Sequence, residues 1–307
     1  MPLIGASISP MINFEQTELD RRDFLSLGIL GGAAGMLFPL LPGTAEAASG
    51  KNGATGQPNW KETKVWITGG TSGLGRVLVE TLAKRGSQVA FCGRKPDGGK
   101  EVEKSIKGAP GKVKYYVADV TKENEVRDFV KGASEWMGRI DLAINNAGID
   151  HVSENFVEES LEESLKVIQT NLVGTMICLK YIGQQMKKQK SGSIINLGSV
   201  AGVRGSQSGI AYSASKHGVV GLTKSLARNL GPIGIRVNCV SPYIMDNLMG
   251  QGRIDKNHEE IQNSLQKMFL PRIITVENVA EAILWLGSDQ AWNITGQNLV
   301  IDGGHLS

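Results

Sequence analysis

Lys64-Val65-Trp66-Ile67-Thr68-Gly69-Gly70-Thr71-Ser72-Gly73-Leu74-Gly75 is the stretch on which the fold turns. Val65 to Thr68 have the composition of a short buried strand, and a helix begins near Leu74. The glycines between them allow backbone angles closed to other residues and let a ligand come close to the main chain. The first amides of the helix lack internal partners and can receive an anionic phosphate. A glycine cluster alone fits an ordinary tight turn equally well. Strand, glycine turn and helix in this order make the first third of a dinucleotide site.

Downstream the same rhythm repeats. Helix Leu74–Arg85 carries Leu74, Leu78 and Leu82 at four-residue spacing, and Ser87–Cys92 returns as a strand. Gly93 to Lys100 reads as a loop on turn composition. Val113–Ala118, Ile140–Asn145, Ser193–Leu197, Ile235–Val240 and Asn298–Ile301 read as further strands. Glu123–Trp136, Leu161–Met186 as one long helix, Tyr212–Leu230 and Val276–Leu286 fill the gaps. Short apolar strands alternating with helices predict an α/β fold, a seven-stranded parallel sheet buried on both faces within a single domain. Pro242–Thr275 breaks the rhythm, and its Met245, Leu248, Met249, Met268, Phe269 and Leu270 suit a cover over an apolar ligand.

The chain of 307 residues opens differently. Arg21-Arg22 precedes an apolar, glycine-softened run from Leu27 to Leu41, and Ala45-Glu46-Ala47 follows as a small-x-small cleavage pattern. This resembles a twin-arginine signal peptide over residues 1–47, delivered to the twin-arginine export machinery, with a tether over 48–60 and a folded domain over 61–307. The expected location is periplasmic or otherwise exported after signal cleavage, and cytoplasmic if the signal is not used. Without the leader the chain keeps 31 basic and 25 acidic side chains, a net charge of +6. The lysines are scattered, so the stripe or aromatic interleaving of a nucleic-acid binder is missing. Cys92, Cys178 and Cys239 lie in apolar stretches and read as buried free thiols. The four histidines share no short ligand spacing, and no metal is expected.

A chemical constellation follows the fifth strand. Tyr212 and Lys216 stand four apart on a helix and project from one face. An ammonium beside a phenol favours the phenolate, drawing its pKa down from about 10 toward the range where it can exchange a proton with an alcohol oxygen. Ser199, just past the strand, can face the same cleft.

Together these residues resemble the short-chain dehydrogenase/reductase family over about Trp60 to Gly304. The pattern T-G-x-x-x-G-x-G stands as Thr68 to Gly75, and Asn145-Asn146-Ala147-Gly148 forms the block after the fourth strand. Asn171, Ser199, Tyr212 and Lys216 occupy the family's four active-site positions, and Asp119 the position that holds adenine. Where the family continues Pro-Gly after strand six, this chain has Pro242-Tyr243.

The resemblance implies a Rossmann-type doubly wound sheet and an NAD(P)-dependent oxidoreductase that interconverts a secondary alcohol and a ketone. Tyr212 would be the general acid or base, Ser199 a donor to the substrate oxygen, Lys216 the ribose ligand that tunes Tyr212, and Asn171 the support of a proton-relaying water. The cofactor would contact Gly69, Thr71, Ser72, Gly73, Leu74, Gly93, Arg94, Asp119, Val120, Asn146, Ala147, Gly148, Tyr212, Lys216 and Pro242. Gly93 then Arg94 at the end of strand two favour NADP(H) over NAD(H), since an NAD-type acid is missing there and a guanidinium can bind a phosphate. Substrate contacts fall to His151, Val152, Ser199, Arg204, Tyr212, Tyr243, Met245 and Met249. A homotetramer is implied, pairing through the two long helices and the last strand and covering Leu172 and Ile177. Two rival readings stand beside this: an epimerase or dehydratase on the same fold, and a non-catalytic regulator, whose mark would be a lost tyrosine or lysine.

Overall fold

The computed structural model describes residues 58–150, 156–158, 160–205, 209–246, 262–263 and 265–307. The leader, most of the tether, His151, Val152, Leu248, Met249 and much of the expected cover lie outside them.

Strand β1 (Lys64–Thr68) is followed by α1 (Gly73–Lys84), β2 (Gln88–Gly93), α2 (Pro96–Ser105), β3 (Lys112–Val117), α3 (Glu123–Met137) and β4 (Leu142–Asn145). Next come α4 (Leu161–Ile168), a π-helical turn (Gln169–Val173), α5 (Gly174–Gln189), β5 (Gly192–Leu197) and a 3₁₀ turn (Val200–Gly202). Helix α6 (Ile210–Leu230), β6 (Ile235–Pro242), α7 (Val276–Gly287) and β7 (Asn298–Ile301) complete the series. The strands form one seven-stranded sheet in the order β3-β2-β1-β4-β5-β6-β7, every neighbouring pair parallel.

Alternate strand residues feed two cores. Val65 and Ile67 of β1 join Leu78, Leu82, Ile283 and Leu284 of α1 and α7 on one face. Trp66 between them joins Phe129, Ile182 and Leu230 of α3, α5 and α6 on the other. Its ring stacks on Phe129 with centroids 4.8 Å apart. Burying side chains of this size contributes roughly 1.5–3 kcal/mol each, so the period-two pattern fixes the register against a one-residue slip. Strand order reverses between β1 and β4, and the crevice above their carboxyl ends is where such sheets bind ligands.

Two expectations are corrected. The stretch read as a loop from Gly93 contains α2, which begins at Pro96 with Asp97 in its first turn. Proline suits a first helical position, where its missing N–H costs nothing. Gly99 allows this helix to lie on the Tyr115 ring, because a Cβ there would sit 2.2 Å from it. The long helix expected over Leu161–Met186 is α4 and α5 joined by the π-helical turn, and α5 runs on to Gln189. Leu172 and Ile177 are half-buried, each packing part of its surface against this chain's own cores. Met268 is also core, whereas Phe269 and Leu270 are exposed. All three cysteines are buried and free.

Candidate active site

The turn after β1 is held from across the switch point. The Thr68 hydroxyl accepts the backbone amides of Asn146 and Ala147, both at 3.0 Å. In return, the Asn146 amide donates to the carbonyls of Thr68 and Gly69 at 3.0 and 3.1 Å. The ends of β1 and β4 are thus zipped together, and the glycine turn is fixed beside them. Gly75 must be glycine, because a Cβ would stand 2.1 Å from the Gly69 carbonyl oxygen. Gly73 has φ of +49° and nothing within 4 Å of where its Cβ would be. Ser72 stands at the N-cap position of α1 but makes no side-chain bond to it, and the first turn carries no acid. An open turn on an uncapped, acid-free helix start fits a pyrophosphate.

A cleft of about 290 Å³ runs from this turn across the sheet's carboxyl edge. Gly69, Thr71, Ser72, Gly73 and Leu74 line one end with Gly93, Arg94, Asp119 and Val120. Asn146, Ala147 and Gly148 lie in the middle, and Ser199, Tyr212, Lys216, Pro242, Tyr243 and Met245 line the far end. Every cofactor residue expected from the sequence is therefore on this one surface. Arg204 is not in the lining. Leu197, Gly198 and Thr170 line it as well. Leu197 and Gly198 carry no reactive side chain, and the lone Thr170 hydroxyl belongs to no pattern that the sequence could have flagged.

Lys216 is buried, and its Nζ donates to the Leu197 carbonyl at 2.8 Å and lies 5.5 Å from the Tyr212 ring centroid. Burial pushes its pKa down to about 8, with Cys239 and Asp150 pulling weakly the other way. Ser199 caps the 3₁₀ turn by accepting the Ala201 amide at 3.2 Å. That bond uses an oxygen lone pair and leaves the hydroxyl proton to be donated into the cleft.

Asn171 sits behind the cleft, in the π-helical turn. Its side-chain amide makes both bonds to the Ile149 backbone, each at 2.8 Å, and reaches the Ser215 hydroxyl at 3.3 Å. The Ser215 hydroxyl donates to the Tyr212 carbonyl at 2.7 Å. Asn171 therefore ties the loop after Gly148 to the helix bearing Tyr212 and Lys216. Such π-turns frequently mark functional positions in helices.

Residues 69–305 match the family model described as enoyl-(acyl carrier protein) reductase. Secoisolariciresinol dehydrogenase of Forsythia intermedia is 35% identical over 243 residues, which span 78% of this chain and 87% of that protein. The chain belongs to the short-chain dehydrogenase/reductase family. A solved structure titled "ElxO with NADP Bound" superposes with a TM-score of 0.75 at 31% identity, over 80% of this chain and 99% of that one. NAD⁺-bound xylitol dehydrogenase does so with 0.76 at 27%, over 81% and 100%. The protein is thus an NAD(P)-dependent oxidoreductase of this family acting on CH–OH groups.

Proposed function

We propose that the enzyme interconverts a medium-sized secondary alcohol and its ketone, with Tyr212 exchanging the proton and NADP(H) preferred over NAD(H). The observation that carries this is the convergence of Ser199, Tyr212 and Lys216 on one wall of a cleft whose other end fits a dinucleotide. The bound nicotinamide would supply or take up the hydride at the substrate carbon. In reduction, the Tyr212 phenol gives its proton to the substrate oxygen; in oxidation, its phenolate removes one. Ser199 donates to the same oxygen where negative charge develops. Lys216 would hold the ribose hydroxyls of the cofactor and bias Tyr212 toward the phenolate, and Asn171 would support the proton path behind it.

The cofactor preference is supported at Gly93. A Cβ there would lie 2.7 Å from the Thr71 methyl, so an NAD-type acid at this position would require Thr71 to shift. Arg94 is exposed on the same lining, free to meet a ribose phosphate. The lining near Tyr243 and Met245 offers aromatic and thioether surface, which suits an apolar alcohol better than a phosphorylated sugar. An apolar groove between α5 and α6, lined by Met176, Leu179, Leu222 and Leu226, supports pairing of subunits into a homotetramer. The arginine pair and apolar run of residues 1–47 support export to the periplasm.

A panel of secondary alcohols and ketones, followed by the absorbance of reduced nicotinamide with each cofactor, tests the reading. Turnover of apolar members with NADP(H) is expected. A protein that binds cofactor but turns over no member would overturn it.

A further inference from the structure

Tyr243, where this chain departs from the family's Pro-Gly, lines the substrate end of the cleft beside Met245. Its backbone amide donates to the Ile301 carbonyl at 2.9 Å, which extends the pairing of β6 and β7 past Pro242. Beyond Ile301 the chain folds back on itself. The Asp302 carboxylate accepts the amides of Gly304 and Leu306, both at 2.9 Å. Gly303 and Gly304 take φ of +60° and +84°, a path open to glycine at little cost. The Gly303 carbonyl accepts the Leu270 amide at 2.8 Å, docking the turn against residues 268–270.

The product of this turn is a stack. The His305 imidazole lies on the Tyr243 ring with centroids 4.3 Å apart and planes 13° from parallel. Both ring nitrogens are shielded from solvent and have no hydrogen-bond partner among the described residues. Burial lowers the pKa of His305, the positive charges of Arg204 and Lys267 lower it further, and Asp302 opposes them. The ring is therefore neutral near pH 7 and serves as a flat plate rather than a hydrogen-bonding group. Shielding polar nitrogens from solvent costs free energy, which the aromatic stack on Tyr243 offsets in part.

We propose that His305 is a specificity-determining positioning residue: by stacking on Tyr243 it fixes that ring as the substrate wall and so sets which alcohols and ketones are accepted. The inference rests on the cleft being the oxidoreductase site proposed above.

The full-length enzyme and its His305→Ala, His305→Phe and Tyr243→Ala variants test it, through kcat and KM over alcohols of increasing size, cofactor dissociation constants and melting temperature. His305→Ala should raise KM for the best substrate about tenfold, the scale of one aromatic pair. The preference across the panel should flatten, with kcat and cofactor affinity nearly unchanged. His305→Phe, which keeps a plate on Tyr243, should restore the wild-type ranking. An unchanged ranking in His305→Ala overturns the proposal. So does His305→Phe behaving like His305→Ala, or a loss shared equally by KM, cofactor affinity and melting temperature. The stack has its own readout: the His305 ring protons should resonate upfield in wild type and lose that shift in Tyr243→Ala, and no shift in wild type overturns it too. Wild-type protein silent on the whole panel while the shift is present would instead sink the oxidoreductase reading, and with it any specificity role.

Discussion

The Lys216 ammonium is bonded to the Leu197 carbonyl at 2.8 Å, inside a wall where almost no water reaches it. One carbonyl bond replaces little of the hydration an ammonium loses, which is why its pKa falls to about 8 from the ordinary 10.5.

The titration of Lys216 is therefore linked to folding stability. Below about pH 8 Lys216 is protonated in both states, and the folded state bears the full burial penalty. Between about 8 and 10.5 the folded protein releases the proton first, so stability rises with pH. Denaturant unfolding of cofactor-free wild type and Lys216→Met across this range should give curves whose difference approaches about 1.4 kcal/mol per pH unit. Parallel curves would mean that Lys216 titrates normally.

Cofactor choice should reside at the end of β2. Arg94→Ala should weaken NADP(H) about ten- to a hundredfold, the scale of a charge-assisted bond, with little effect on NAD(H). Equal losses would show that Arg94 only stacks on adenine. Gly93→Asp alone should not create an NAD site, because Thr71 occupies the space within 2.7 Å of the new Cβ. Thr71→Ala with Gly93→Asp should tighten NAD(H) relative to NADP(H), measured by fluorescence titration.

Assembly should depend on the groove between α5 and α6. Met176 is 48% exposed there, the most open large apolar residue of α5. Sedimentation at micromolar concentration should show a tetramer for wild type and a smaller species for Met176→Glu. Wild type sedimenting only as a monomer would refute the assembly.

Export should require the arginine pair. Lysine at both Arg21 and Arg22 should trap precursor in the cell, and mass spectrometry of mature protein should find residues 1–47 removed. Mature protein in the periplasm would need to carry its cofactor bound, since free nicotinamide is scarce there. Met1 still attached in a soluble cytoplasmic fraction would contradict export.

What could be read from the chain follows from the range of the interactions involved. Val65 to Thr68 announce a strand because apolar residues run uninterrupted between a charged residue and glycines, and both faces of that strand are buried. Tyr212 and Lys216 are four apart on a continuous helix, so their shared face follows from helix geometry alone. Helix α2 was hidden because Pro96-Asp97-Gly98-Gly99 has the composition of a turn. Its glycines serve contacts with Thr71 and Tyr115 from other elements, which local sequence does not carry. The π-helical turn at Asn171 adds a single residue to a helical turn and leaves no compositional mark. His305 looked like any tail histidine, since its partner Tyr243 is brought to it only by the pairing of β6 with β7.

Proton transfer to the substrate oxygen is assigned to Tyr212. The direct measurement is single-turnover reduction of a ketone by prebound NADPH in wild type and Tyr212→Phe, with cofactor affinity measured on the same samples. Cofactor affinity should be equal in the two proteins and the rate at least about a hundredfold lower in the variant, the scale of lost general acid catalysis. A Tyr212→Phe enzyme that keeps more than about a tenth of the wild-type rate would contradict it, since that loss is below the usual acid–base contribution.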